Sequence, residues 1–391
     1  MNKFFIIIFS VAILFISCDN NLEIDSTLPL DEKIDAVVEP IVLFGSPSAF
    51  IIGIIQDGEK SIYSYGDAGL GFGAPQSNTI FEIGSNTKTF AATILSEFII
   101  EGLLTLDDSI NQFLPSSVVP PTFNGKNITL RDLVTHTSGL SREIYNFNGD
   151  YDIVWSEISN EDIYTFLNDI SQEAYPFDDY TSRNNLKYLG TEFRYSNVGI
   201  AILGHILELV SGKTFEQLVD ERITSKLNMP DTKFYTELTE EQKKRIPKAY
   251  NINQEEQELP RDFGRYLACG GLLSTMDDML NYMEANINNT SSLSQSMQNC
   301  HEIIHSREEI CNKDGTAFET FPYENADGIG MVWYVSYVNG ETIVQHGGDY
   351  NHHCKFRFNK TKKVGVVTLS NTANVVEANV VETIFNWLNE E

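Results

Sequence analysis

Basic side chains are scarce in this chain. Lys and Arg number 27 against 55 Asp and Glu in 391 residues, a formal charge of −28. No run of five basic residues offsets that balance. Binding along a phosphate backbone depends on clustered Lys and Arg, so nucleic acid is excluded as a partner. Apolar runs of bilayer length are absent as well: the stretch 4–16 has thirteen residues, short of the roughly 20 that a spanning helix needs. Internal repeats and long low-complexity tracts are missing, and Gly (26) and Pro (12) stay at ordinary levels, which removes the collagen-like and disordered classes. Cysteine is sparse, with five in the whole chain. What remains is a globular, 42% hydrophobic chain, long enough for roughly two or three domain-sized units and a large core.

The first eighteen residues carry their own signal. Lys3 precedes the apolar stretch, and Ser17 and Cys18 end it, the length and flanks of a secretory h-region. A Cys directly after a small residue at that point resembles the bacterial lipoprotein cleavage site. The resemblance implies that residues 1–17 are removed and that lipidated Cys18 anchors the chain to a membrane of the bacterial envelope. Phe15 stands where Leu is usual, with the bulky Ile16 beside it; an ordinary cleaved signal and an uncleaved anchor are the alternatives. Residues 18–32, polar and acidic, read as a tether. Outside the cytoplasm a disulfide is permitted, and Cys300–Cys311 is the local pair. His301 and His305 between them, like the run His352-His353-Cys354, match no zinc spacing. Neither a metal nor another cofactor is expected.

Apolar positions at helical spacing (Ile34, Val37, Val38, Ile41, Val42) predict an opening helix over 30–44. Strand-like runs at 50–56 and 61–66 flank Asp57-Gly58-Glu59-Lys60, and runs at 330–338 and 341–345 flank Asn339-Gly340; both read as hairpins. Strands at 355–359 and 364–370 follow, and 375–389 reads as a closing helix. Strands at both ends around a helical middle predict an α+β fold. One antiparallel sheet, flanked by helices, is assembled from both chain ends and carries an inserted, mostly helical domain. The expected boundaries are 33–110 and 266–391 for the two parts of the α/β domain and 111–265 for the insertion. Residues 141–190 carry ten acids against three bases and many aromatics, among them Tyr145, Phe147, Tyr151, Trp155 and Tyr164. That segment is expected to line a cleft.

The chemistry starts at Gly84-Ser85-Asn86-Thr87-Lys88, which leads into a strong helical pattern. Ser85 and Lys88 then share one face at a helix start. A serine hydroxyl is a poor nucleophile until a neighbouring base takes its proton, and the free N–H groups of a helix N-terminus suit a developing oxyanion. Further on, Tyr195-Ser196-Asn197 opens another apolar helix, and His346-Gly347-Gly348 leaves a strand. Ser-x-x-Lys, Tyr-x-Asn and a Lys/His-x-Gly strand end, in this order, resemble the penicillin-recognising serine hydrolases. The class C β-lactamases and their DD-peptidase and esterase relatives are the nearest branch. ITLRDLVTHTSGL (128–140), GLLTLDDSINQFLP (102–115), CGGLLSTMDDMLNYM (269–283), GIGMVWYV (328–335) and GVVTLSN (365–371) are similar to that family too.

The resemblance implies an envelope hydrolase with a cleft between sheet and helical region, acting on a small-molecule or peptide substrate. Ser85 would be the nucleophile that is acylated, Lys88 and Tyr195 would share the proton transfers, and Asn197 would orient Lys88 and the substrate's amide. Backbone N–H groups of Ser85 and Asp349 would form the oxyanion hole, with Gly347 and Gly348 along the substrate. His136 is expected to be structural. The motif departs from the family at one place, where His-Gly-Gly replaces Lys-Thr-Gly or His-Thr-Gly. His346 is then a weaker, conditional cation, Gly347 supplies no hydroxyl, and Asp349 adds negative charge. All three are expected to disfavour substrates with a carboxylate at that end, which ranks an ester, amide or D-amino-acid peptide bond above a β-lactam. A true β-lactamase or DD-carboxypeptidase is one alternative, and a non-catalytic scaffold on the same fold is the other.

Overall fold

The computed structural model describes residues 27–44, 49–69, 73–123, 125–144, 155–172, 189–251, 253, 255–258, 262–288, 290–311, 321–323, 325–372 and 376–390. Cys18, the leader and most of the proposed tether lie outside the described residues, as do Tyr145, Phe147 and Tyr151 of the acidic segment.

The opening helix α1 (Leu30–Phe44) begins inside the 18–32 stretch. It is followed by β1 (Ala49–Gln56) and β2 (Glu59–Gly66). Asp57 and Gly58 join these strands with φ of 53° and 81°, the positive pair that a two-residue hairpin of matching twist requires. Next comes α2 (Thr87–Ile100). The helical middle contributes α3 (Leu130–Val134), α4 (Asn160–Gln172), α5 (Asn197–Ser211) and α6 (Phe215–Val219). The chain then returns through α7 (Met276–Ile287) and α8 (Ser294–Cys300) to the rest of the sheet. Its strands are β3 (His305–Ser306), β4 (Gly328–Ile329), β5 (Tyr334–Val338), β6 (Glu341–Asp349), β7 (His353–Asn359) and β8 (Val364–Ser370), and α9 (Val376–Glu390) closes the chain. Sheet order is β3-β4-β5-β6-β7-β8-β1-β2, antiparallel throughout. The expected α+β architecture, with the two chain ends meeting where β1 pairs with β8, is what the chain adopts. Among the described residues no single helix is long and apolar enough to cross a membrane.

Strand β1 is buried along nearly its whole length because both faces of the sheet are covered. Phe50, Ile52 and Ile54 pack with Ile34, Val37 and Val38 of α1 and Ile384 and Phe385 of α9. Ile51 and Ile55 face the opposite way, into the core shared with α2 and α7. Gly53 lies under α7: a Cβ there would sit 2.4 Å from Met276 Sδ. The edge strand β2 is polar and mostly exposed, which blunts an otherwise unpaired edge.

The Cys300–Cys311 pair, left open by the sequence, is not bonded; among the described residues Cys269, Cys300, Cys311 and Cys354 are all free thiols. Cys300 ends α8 facing the core, with its Sγ 3.9 Å from Met331 Sδ. The chain then turns out to the sheet edge at β3 before it reaches the half-buried Cys311. His301 is buried against Trp333, with Nε2 3.1 Å from Asn286 Oδ1. His352 Nδ1 accepts the Glu82 backbone N–H at 3.0 Å. Both histidines are packing elements.

Candidate active site

Ser85 sits on a single 3-10 turn, Gly84–Asn86, that runs directly into α2. One turn on, Lys88 is 1% exposed. Its Nζ donates to Ser85 Oγ at 2.9 Å and to the Cys269 carbonyl at 2.7 Å. Tyr195 Oη donates to the same Ser85 Oγ at 2.8 Å. Three side chains from sequence positions 85, 88 and 195 thus meet on one oxygen.

Tyr195 is held there by the start of α5. Ser196 caps that helix: its Oγ accepts the Gly199 N–H at 2.9 Å and donates to the Ser141 carbonyl at 2.7 Å. His136, buried and at a φ of 58°, accepts the Ser196 N–H on Nδ1 at 3.2 Å. Its ring lies 4.4 Å from that of Tyr195. Burial holds His136 well below its ordinary pKa, with the cations Lys88 and Arg142 adding to the effect. As the sequence implied, His136 serves as a fixed support. Lys88 Nζ and Arg142 Cζ flank the Tyr195 ring at 4.9 and 4.8 Å from its centre.

The end of β6 passes hard against the Ser85 turn. A Cβ on Gly348 would lie 1.9 Å from the Ile83 carbonyl oxygen and 2.9 Å from Ser85 N. One on Gly84, whose φ is 50°, would lie 3.1 Å from Asp349 N. Only glycines allow this approach, and it brings the N–H groups of Ser85 and Asp349 to one edge of the cleft. The cleft has a volume of about 370 Å³ and includes Ser85, Tyr195, His346, Gly347 and Asp349 in its wall.

Three expectations need correction. Asn197 does not hold Lys88 by a hydrogen bond. Its Nδ2 donates to Glu143 Oε1 at 2.7 Å, while its Oδ1 is buried without a hydrogen-bond partner. His346 is not a conditional cation. It is 2% exposed, neither ring nitrogen makes a hydrogen bond, and burial aided by Lys88 and Lys355 lowers its pKa to about 3. The Asp349 carboxylate is not an unpaired charge at the oxyanion site. Burial works to raise its pKa, but His353 Nδ1 at 2.8 Å and Lys355 Nζ at 2.7 Å hold it below the usual carboxylate range.

Sequence reasoning passed over Glu143, Arg142, Tyr323 and Lys355. Glu143 is half-buried, and desolvation pushes its carboxyl up against the pull of Asn197, Arg142 and Lys88. No local pattern marks it, because its role comes from proximity to Asn197. Lys355 and Arg357 alternate with Phe356 and Phe358 along β7, and that alternation already places the two cations on one face.

A family model described as Beta-lactamase matches residues 45–387. The chain is 26% identical over 296 residues to the D-alanyl-D-alanine-carboxypeptidase/endopeptidase AmpH of Escherichia coli (strain K12), covering 75% of this chain and 70% of that protein. It is 25% identical over 278 residues to a beta-lactamase of Providencia stuartii, covering 70% of this chain and 65% of that relative. Among solved structures, a beta-lactamase/D-alanine carboxypeptidase from Yersinia pestis, complexed with citrate, is similar with a TM-score of 0.73 at 20% identity. That match covers 92% of this chain and 98% of the other, and it is a likeness of fold.

Proposed function

Because this chain belongs to the beta-lactamase family, we propose that it is a serine hydrolase that is acylated on Ser85 and then freed by water. The observation that carries the reading is the convergence of Tyr195 Oη and Lys88 Nζ on Ser85 Oγ, at 2.8 and 2.9 Å. In the forward step Oγ bonds to the substrate carbonyl carbon while its proton passes to the Tyr195–Lys88 pair. The bond to the leaving group breaks, and the leaving group takes that proton. The N–H groups of Ser85 and Asp349 stabilise the oxyanion. Water then attacks the acyl ester, the acid departs, and Ser85 regains its proton.

The bond cleaved is an ester, an amide or a D-amino-acid peptide bond in the envelope. The names of the relatives support a D-alanyl-D-alanine end as the narrower reading. Intact mass after fluorophosphonate treatment tests the mechanism: one adduct is expected on the wild type and none on Ser85→Ala. A folded wild type that takes no adduct would leave a binding or scaffold protein. Nitrocefin and a short-chain p-nitrophenyl ester, turned over by one preparation, rank the bonds. Ester turnover is expected to dominate, and the opposite ranking would make β-lactams the main substrate.

The leader pattern, ending Ser17-Cys18, supports export and anchoring by a lipid on Cys18. Labelled palmitate should enter the wild type and not Cys18→Ser; a processed, unlabelled wild type would overturn the anchor.

A further inference from the structure

The two N–H groups assigned to the oxyanion belong to different elements: Ser85 lies on the turn into α2, and Asp349 ends β6. Their separation is set where the β6–β7 hairpin meets the segment 82–86. Two buried side-chain bonds cross that join in opposite directions. His352, in the turn after Asp349, accepts the Glu82 backbone N–H on Nδ1 at 3.0 Å. Asn86, next to Ser85, donates from Nδ2 to the Cys354 carbonyl at 2.9 Å. His352 is 0% exposed and Asn86 1%. From the serine-hydrolase reading and this geometry, we infer that His352 and Asn86 are positioning residues: as a reciprocal clasp they hold the Asp349 N–H and the Ser85 N–H on one oxyanion.

The backbone pattern explains why a side chain is needed at 352. Phe81–Glu82 is a short strand paired with Leu272–Ser274. Ile83 N–H bonds the Leu272 carbonyl at 3.0 Å, so the Glu82 N–H, one residue back, points to the opposite side. On that side, among the described residues, no strand pairs with it. A buried N–H without an acceptor is costly, and the His352 ring supplies the acceptor. Burial, aided by His353, lowers the pKa of His352 to about 3, so Nδ1 carries no proton in the neutral range. His352 thereby does more than pack against Phe81. The Tyr350 N–H bonds the His352 carbonyl at 3.0 Å and closes the hairpin turn, so a shift of His352 is passed to the chain that starts at Asp349. On its other flank the Ser85 turn is already fixed. Thr87 Oγ1 donates to the Gly84 carbonyl at 2.8 Å and accepts the Leu272 N–H at 3.2 Å. The contact of Gly348 with Ile83 limits how closely hairpin and turn approach. The bonds of His352 and Asn86 limit how far they separate.

The test is hydrolysis of p-nitrophenyl butyrate, with active sites counted by fluorophosphonate titration to completion so that misfolded protein drops out. Per active site, His352→Leu is expected to lose about tenfold or more in kcat. KM should stay within about twofold, because the oxyanion forms only in the transition state. Affinity for phenylboronic acid, whose adduct on Ser85 places an oxygen at the same donors, should fall in parallel. His352→Asn, whose Oδ1 stands where Nδ1 stood, should recover most of the loss. Asn86→Ala should repeat the pattern of His352→Leu, and it carries the test should that variant fail to fold. A merely structural role would lower the titrated fraction and leave kcat per site and boronate affinity at wild-type values. That result, or an Asn variant no better than the Leu variant, would overturn the inference while wild-type turnover upheld the hydrolase reading. A wild type that neither cleaves the ester nor takes the adduct would overturn the hydrolase reading and the inference with it.

Discussion

His346 occupies a motif position where a permanent or conditional positive charge is expected, and burial removes that charge. Its pKa of about 3 lies far below the ordinary imidazole value of about 6.5, so the ring is neutral throughout the range in which histidines usually switch. Replacing it with the neutral amide of His346→Gln should therefore remove no inflection from the pH dependence of kcat/KM between about pH 5 and 8. A wild-type inflection near 6.5 that vanishes in the variant would show a charged His346. Other residues were easier to read. Ser85 and Lys88 are legible because a spacing of three on a helix puts two side chains on one face. Tyr195 is legible through its motif and the helix that follows it. The charge of His346, the bond from Asn197 to Glu143 and the reach of Lys355 depend on what packs around each group, and no local spacing encodes that.

Elements position these residues through a few close backbone approaches. The tightest is where β6 meets the Ser85 turn, and Gly348→Ala tests it against a control elsewhere in the same strand pair. At Gly348 the added methyl would lie 1.9 Å from the Ile83 carbonyl oxygen. Strand and turn must separate, so ester turnover should fall by about 100-fold or more through the lost oxyanion donors. Gly340, in the hairpin turn at a φ of 83°, has nothing within 4 Å of its would-be Cβ. Gly340→Ala should cost about 1 kcal/mol of stability through backbone strain alone, read by urea unfolding, with turnover retained. Equal losses of turnover in the two variants would contradict the assignment of Gly348 to the site. Both hairpins were legible because Asp-Gly and Asn-Gly have a direct conformational meaning. The run at 330–338 was read as one strand, yet only Tyr334–Val338 is strand. Val332 takes a φ of 60°, which breaks the run in a way a β-branched residue does not advertise.

Over the whole molecule, buried titratable groups set the pH range of stability. His136, His301, His346 and His352 are all held below their ordinary pKa, chiefly by burial. The unfolded chain then binds more protons than the folded one, so their contribution is complete above about 6.5 and is lost as pH falls, for His346 and His352 toward about 3. Glu82, raised to about 8, and Asp278, raised to about 6, both by burial, act in the opposite sense. Their contribution is present below the ordinary carboxylate pKa and is lost as pH rises through those values. A stability maximum near neutral pH is expected in urea unfolding. Glu82→Gln should flatten the decline from about pH 7 to 9 while the acid limb remains; an unchanged alkaline limb would contradict the raised Glu82. At this scale the sheet built from both chain ends was legible, because strand patterns at 50–66 and 330–370 bracket a helical middle. Whether Cys300 pairs with Cys311 was not legible, since nearness in sequence says nothing of which way each thiol faces. The join of β1 to β8 also sets an order of assembly. Ala49 N–H bonds Asn371 Oδ1 across 322 positions, so the isoleucine-rich first strand, paired early with β2, must wait for nearly the entire chain to be synthesised before its second neighbour, β8, exists. Such long-range pairing folds slowly. Until that last strand emerges, one side of β1, buried along nearly its whole length in the finished sheet, stays an open apolar edge.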